Sequence, residues 1–396
     1  MTAATTHTLD GEPILLPGEE PYRLEREDRL LTPALLVYPE LVQANLRAIT
    51  ALLGGDADRW RAHVKSAKLA GVMRQLTAAG VVNLKCATPL ELRVACDAGA
   101  RDVLVAYPVV GPALQRVAAI AREHPGTTVS ALVEAEPAVA AWRGSGVGLF
   151  VDVNPGMDRT GIAETAVDVI VGIARAIARA GIRFGGLHYY DGHVAAGAAS
   201  EERAHRGYDR LLDLVAALEG AGIPVPEVVT AGTPALAASL SYAPFARAPF
   251  RHRVSPGTVV YADTTTAAQL PPGWGLRPAA VVASRVVSHP VAGRITLDAG
   301  HKSVSADAGV PTCAVLGRPD LVPLKPSEEH LPVAVPEGRE RPEVGRVLYL
   351  VPRHVCPTVN NFEHAVIVRA GQVEGVERVA ARGRERPIVD ASSPSI

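Results

Sequence analysis

The chain has 396 residues, 48% of them hydrophobic and 20% charged, with a formal net charge of −1, enough for a large core and two domains. Charges of both signs are interspersed and only 4% of residues are aromatic, which excludes nucleic acid and an anionic membrane surface as expected partners. From Met1 to Asp28 the sequence is polar and acidic, and nowhere do about twenty apolar residues run unbroken, so the expected location is the cytoplasm.

In chain order from about Thr32, strand-length apolar runs alternate with helix-period segments. The strand candidates are "WRAHVK", "VNLKCA", "DVLVAY", "TVSALVE", "VGLFVDV", "FGGLHYY", "EVVTAG" and "HRVSPG", and eight such units predict a closed (β/α)8 barrel of the TIM type. "TPLE" at Thr88–Glu91 reads as a capping box with proline at the first helical position. Ile162, Ala166, Val169, Ile173 and Ile177 read as one apolar helix stripe that Gly181 ends. After about Leu270 β-branched residues dominate, in "AAVVASRVVSH", "RITLDAG", "GRVLYLVP" and "HAVIVRAGQVEGVERVA". The fold class expected is therefore α/β, with a barrel over 31–268, an all-β domain over 269–396, and an N-terminal segment, 1–30.

The chemistry of such a barrel sits at the C-terminal ends of its strands. An extended "AHVK" would turn His63 and Lys65 to one side, placing Lys65 at the mouth, and these two are the catalytic candidates. The seventh and eighth units end in "TAGTPA" and "SPGTVVYAD", where Thr230, Gly232, Thr233, Gly257 and Thr258 would cradle a phosphate through backbone N–H groups and hydroxyls. Alone, each turn is merely a turn and Lys65 a surface charge. Together, a mouth lysine and a phosphate cradle are what pyridoxal 5′-phosphate requires. The four cysteines, Cys86, Cys96, Cys313 and Cys356, are widely spaced and form no disulfide framework or CxxC pattern.

The ordered set "RAHVKSAK", "ATPLELRVACDAGARDVLVAYPVVG", "VDVNPGMDRTGI", "GLHYYDGH", "TAGTPA", "SPGTVVYAD", "DAGHKSVSADAG", "SEEH" and "PRHVCPTVN" resembles the fold-type III pyridoxal phosphate enzymes, in the branch of D-threonine aldolases and D-serine dehydratases. The resemblance spans roughly Thr32 to Arg382. It implies an alanine-racemase-like barrel, a C-terminal β domain completed by the N-terminal segment, and a homodimer in which each β domain helps close the partner's site. It implies that Lys65 carries the cofactor as an imine, that Arg159 lies beside the cofactor, and that Tyr190 lies near its ring. His188 is a further cofactor-binding candidate, while Asn154 and Tyr107 stand at strand ends and read equally as site or packing residues.

In "VPRHVCPTVN", flanking prolines would keep the chain extended and turn His354 and Cys356 to one side. Imidazole with thiolate suits zinc, with manganese or magnesium as alternatives, and two protein ligands leave positions open for substrate. An arbitrary HxC reads as structural; in the branch that the chain resembles, the same place carries a metal pair. His301, Lys302, Ser305 and Asp307 read as interface or support residues. The function implied is a metal-assisted lyase acting on a small D-β-hydroxy amino acid. Dehydration to a 2-oxo acid and ammonia is favoured because Cys356 is a soft ligand, and retro-aldol cleavage to glycine and an aldehyde is the alternative.

Relatives show a second histidine after the lysine, as in HVKTHK, where this chain has "HVKSAK" with Ala67 in that place, and "PTVNNFEH" departs from the commoner "PTVNL". The first departure points to an unusual substrate, such as a biosynthetic β-hydroxy amino acid in place of D-serine or D-threonine, and the second to a different pocket beside the metal; neither fixes a side-chain preference. The other readings weighed are an amino-acid racemase, a non-catalytic pyridoxal phosphate carrier, which would need neither the β domain nor "HVC", and a cofactor-free metal hydrolase built on His63, His188, His193 and Asp263.

Overall fold

The computed structural model describes residues 4–194 and 199–387. The chain divides into two compact units. One holds the residues up to Ala51 together with Ser66–Val72 and Thr258–Arg382; the other holds Leu52–Lys65, Met73–Gly257 and the residues from Gly383 onward.

The second unit contains the eight expected strands, Arg61–His63, Asn83–Cys86, Asp102–Val105, Thr128–Val133, Gly148–Asn154, Phe184–Tyr189, Glu227–Thr230 and Arg251–Val254. They pair in parallel in that order, and a parallel Trp60–Val254 bridge joins the last strand back to the first. The helix Pro89–Asp97 begins as its sequence requires: the Thr88 hydroxyl accepts from the Glu91 N–H at 3.1 Å, and the Glu91 carboxylate accepts from the Ala87 N–H at 2.7 Å. The helix expected from Ile162 starts later, at Val167, and ends at Arg179. Ile162 lies in a short strand and Val169 is exposed, so the buried stripe is Ile170, Ile173, Ala174 and Ile177. Gly181 follows with the positive φ of +67° that a helix stop favours.

Inside the barrel, side chains form layers. At the N-terminal end Arg61, fully buried, is held by both Glu227 oxygens at 2.7 and 2.8 Å and by Asp102 at 2.8 Å. Leu104, Leu132, Phe150 and Val229 form an apolar layer. Towards the C-terminal ends the layer is polar: Lys85 from the second strand, Asp152 from the fifth, His188 from the sixth, and Ser255 just past the eighth, all buried.

In the first unit the strands run in the order Val322–Pro323, Leu331–Ala334, Arg294–Leu297, Ala280–Ser288, Ala34–Val37, His364–Arg369 and Gln372–Arg378, while Val347–Pro352 pairs with both Ala280–Ser288 and Cys313–Val315. The N-terminal hairpin Ala4–Leu9 and Glu12–Pro17 packs Leu9, Ile14 and Leu16 into a cluster with Val281, Val347 and Tyr349. The Tyr22 hydroxyl donates to the Pro278 carbonyl at 2.9 Å. Residues 31–51 and 258–268, expected with the barrel, fall in this unit instead. Ala34–Val37 is fully buried and pairs antiparallel with Ala280–Ala283 and parallel with Ala365–Ile367, so its apolar run serves the β-sheet. Among the described residues no helix is long and apolar enough to cross a membrane.

Candidate functional site

The first barrel strand ends at His63, so Lys65 stands in the turn Val64–Ala67 and not on an extended strand beside His63. The two remain linked, because the Lys65 N–H donates to His63 Nδ1 at 3.3 Å. Lys65 is half-buried at the C-terminal end of its strand. Lys68 is buried, has a φ of +48°, and donates to the Ala381 carbonyl at 3.2 Å. Ala67, the residue in place of the second histidine, is fully buried, and its carbonyl accepts from the Tyr261 hydroxyl at 2.8 Å.

Tyr190 is central to the barrel mouth. The Arg159 guanidinium lies 4.9 Å and the Lys85 amine 5.3 Å from its ring centroid. Gly192 and Gly232 line the same ring; a Cβ on Gly232 would stand 2.9 Å from Tyr190 Cε2, and one on Gly192 would overlap the ring. Asn154 shapes the turn leading to Arg159, accepting from the N–H groups of Gly156 and Asp158 at 3.0 Å and donating to the Asp158 carboxylate at 2.9 Å. Tyr107 is exposed.

His188 is buried with Nδ1 2.7 Å from Asp152 Oδ1. Burial first, and then the neighbouring Lys85 charge, push the imidazole below its usual pKa against the pull of Asp152. Lys85 was not singled out by its sequence, yet its amine lies 2.6 Å from Ser255 Oγ and 3.3 Å from His188 Nε2. Burial, followed by the charge of Lys65, lowers it to about 7. The signal available was a lysine between Leu84 and Cys86 in a short buried strand, at the alternation position that faces the barrel interior.

The phosphate turns are only partly as expected. Thr230 is buried with its hydroxyl engaged by Ser239 Oγ at 2.9 Å and His252 Nε2 at 2.8 Å, so it supports the strand end. Gly232 precedes the turn Thr233–Ala235, and its N–H serves the buried Asp191 carboxylate, which burial raises to about 6. Gly257 is buried. Thr258, in the other unit, opens the turn Thr258–Val260, and its hydroxyl lies 3.0 Å from Thr266 Oγ1. A half-buried amine at a strand end and a tyrosine ring seated on two glycines fit pyridoxal phosphate at this mouth.

In the first unit "VPRHVCPTVN" begins in a strand that ends at Pro352, and His354 is still extended, but the chain is not extended beyond it. A helix, Val355–Asn361, begins immediately after His354, and Pro357 falls in its first turn, where a missing N–H costs nothing. The pair nevertheless converges. His354 Nδ1 lies 2.6 Å from Asp307 Oδ2, leaving Nε2 for the thiol of Cys356. Burial lowers the imidazole, but the Cys356 and Asp307 partners outweigh it and raise His354 to about 9. Cys356 Sγ is buried and 2.9 Å from Ser66 Oγ, the hydroxyl of the residue after Lys65. A histidine oriented by a carboxylate and paired with a thiol fits a divalent metal, although among the described residues no three His, Cys, Asp or Glu side chains gather into a metal-holding group.

The remaining candidates have structural partners. Lys302 pairs with Glu328 at 2.7 Å and Glu329 at 3.0 Å, and Ser305 donates to Asp307 at 2.8 Å. Asp263, named for the hydrolase reading, accepts from the Thr266 N–H and hydroxyl at 2.8 and 2.7 Å and from the Val355 N–H at 2.8 Å. His193 is exposed.

Residues 39–265 match the family described as "Alanine racemase, N-terminal domain", and residues 279–368 the family described as "Putative serine dehydratase domain". The chain is 31% identical to the D-threonine aldolase of an Arthrobacter species, over 90% of this chain and 94% of that one. It is 25% identical to the D-threo-3-hydroxyaspartate dehydratase of a Delftia species, over 89% and 99%. The crystal structure of D-threonine aldolase from Filomicrobium marinum superposes with a TM-score of 0.80 at 28% identity, covering 89% of this chain and 96% of that one.

Proposed function

Because the chain belongs to the fold-type III pyridoxal phosphate enzymes, with an alanine racemase-type barrel and a serine dehydratase-type C-terminal region, we propose that it is a metal-assisted lyase of D-β-hydroxy amino acids that works by dehydration. The observation that supports the metal-assisted part is the Asp307–His354 contact at 2.6 Å, with the Cys356 thiol beside the same imidazole, since β-chemistry needs a Lewis acid at the hydroxyl and simple racemisation does not.

Lys65 would hold pyridoxal phosphate, with Arg159, Tyr190 and the turns at Gly232–Thr233 and Gly257–Thr258 as its further binding groups, and the bound cofactor would supply an electron sink at Cα. His354 and Cys356 would hold a divalent metal, which would supply Lewis-acid assistance to a β-hydroxyl. Lys65, as the free amine, takes the α-proton, and His63, joined to its backbone, holds the amine's turn in place. The thiolate favours zinc over harder ions. Loss of the hydroxyl as water leads to a 2-oxo acid and ammonia. The second reading, retro-aldol cleavage to glycine and an aldehyde, is favoured by the higher identity to the Arthrobacter aldolase, 31% against 25% for the Delftia dehydratase. A cytoplasmic homodimer is part of the same proposal, supported by the family resemblance, and sedimentation of the purified protein tests the dimer.

The deciding experiment incubates the purified protein with a panel of D-β-hydroxy amino acids, with and without zinc, and measures ammonia, glycine and aldehyde separately. Ammonia with 2-oxo acid supports dehydration; glycine with aldehyde replaces it by the aldol reading. Neither product from any substrate, with the cofactor bound, refutes both.

A further inference from the structure

The buried polar layer of the barrel mouth contains a lysine that the reaction above does not use. Lys85 is 1% exposed, and a buried ammonium ordinarily has a carboxylate against it. Among the described residues none lies within ion-pair distance. Its polar partners are Ser255 Oγ at 2.6 Å and His188 Nε2 at 3.3 Å, with the Tyr190 ring at 5.3 Å. A carboxylate only accepts, so the His188 nitrogen facing Asp152, Nδ1, carries hydrogen. Nε2 of the neutral ring is then the acceptor for Lys85. Asp152, His188 and Lys85 thus form one hydrogen-bonded chain running from the fifth strand through the sixth to the second.

We propose that Lys85 is a positioning residue of the active site that shares a single proton with His188, so that the chain Asp152–His188–Lys85 holds one positive charge against one carboxylate beside Tyr190. The transfer balances without outside reactants: Lys85–NH3⁺ and neutral imidazole become Lys85–NH2 and imidazolium, with Nδ1–H still donated to Asp152. Two full charges 3.3 Å apart in a buried layer repel, which restricts the pair to one. The charged groups acting on it are Lys65, Arg61 and Arg159, which oppose protonation, and Asp152 and Asp191, which favour it. The layer therefore holds at most one movable proton, and its transfer between the two nitrogens leaves the net charge unchanged. The inference rests on the reading that the cofactor occupies this mouth only in assigning the pair to the active site.

The test follows His188 by nitrogen-15 NMR in histidine-labelled protein, without and then with added pyridoxal phosphate, with the signal assigned from its loss in His188→Gln. In the parent, His188 is expected as a neutral ring protonated on Nδ1 across the neutral range. In Lys85→Met its imidazolium midpoint should rise by about one pH unit or more, because the competing charge is gone and Asp152 remains. Lys85→Arg keeps a charge that cannot be given up and should hold the ring neutral. Asp152→Asn should lower the midpoint, which supplies an opposite sign and serves alone if Lys85→Met does not fold. With cofactor bound, the pH midpoint of its visible absorbance should move in Lys85→Met and return in Lys85→Arg. An unchanged His188 titration in Lys85→Met overturns the proposal, as does a shift of the same sign in Asp152→Asn. Since the NMR signature is read without substrate, its presence beside a blank product assay would remove the lyase reading and leave the shared proton standing.

Discussion

Restoring the histidine that relatives carry after the lysine should damage this protein. Ala67 is fully buried and its carbonyl is held at 2.8 Å by the Tyr261 hydroxyl, so Ala67→His must place an imidazole where only a methyl is packed. Overpacking costs about 1–3 kcal/mol, and an imidazole buried without a built partner adds about 1–3 kcal/mol, for a total of about 2–6 kcal/mol. For a unit of this size each kcal/mol lowers Tm by about 2–4 °C, so a fall of at least about 4 °C is expected by calorimetry, with no gain in product formation. An Ala67→His variant that melts with the parent and turns over faster would refute the reasoning, and would mean that the space around Ala67 opens for a ligand.

Lys65→Ala should abolish the borohydride-trapped cofactor adduct, because Lys68 is already held by the Ala381 carbonyl at 3.2 Å; mass spectrometry that maps a label to Lys68 would contradict this. Cys356→Ala or a chelator should suppress β-product strongly while α-deuterium uptake from deuterated water, followed by NMR, survives better. Arg61→Met leaves the Glu227 and Asp102 carboxylates at the barrel's N-terminal end without their shared partner and should cost about 3–5 kcal/mol in urea unfolding. Asp191 has a folded pKa of about 6, above its ordinary value of 3.8, so its stabilising contribution is present below about pH 4 and lost as pH rises through 6. Relative to Asp191→Asn, the parent should therefore lose up to about 3 kcal/mol between pH 4 and pH 7.5, measured by denaturant midpoints at the two pH values.

The eight barrel strands were legible because most are short, largely apolar runs closed by a turn, and neighbouring strands in the sheet are also neighbours in sequence. Ala34–Val37 was not, since a four-residue apolar run carries no record of whether its partner is the next strand or, as here, one near residue 280. The convergence of His354 and Cys356 was legible, but the backbone that brings them together was not. Flanking prolines favour an extended chain, whereas at the first turn of a helix proline is compatible with α structure. Lys85 is not legible in the sequence because a lone charge in a strand carries no spacing motif, and only closure of the barrel brings it to His188 and Ser255.

Asp263 has both of its carboxylate oxygens committed, one to Thr266 and the other to the first N–H of the helix that carries Cys356. The helix Thr264–Gln269 also reaches back through Thr266 to the hydroxyl of Thr258. Two stretches almost a hundred residues apart in sequence are thereby indexed to one buried side chain. A displacement of the Thr258 turn is passed to the thiol's helix without any change in its own sequence, so selection at either end cannot adjust one without resetting the other.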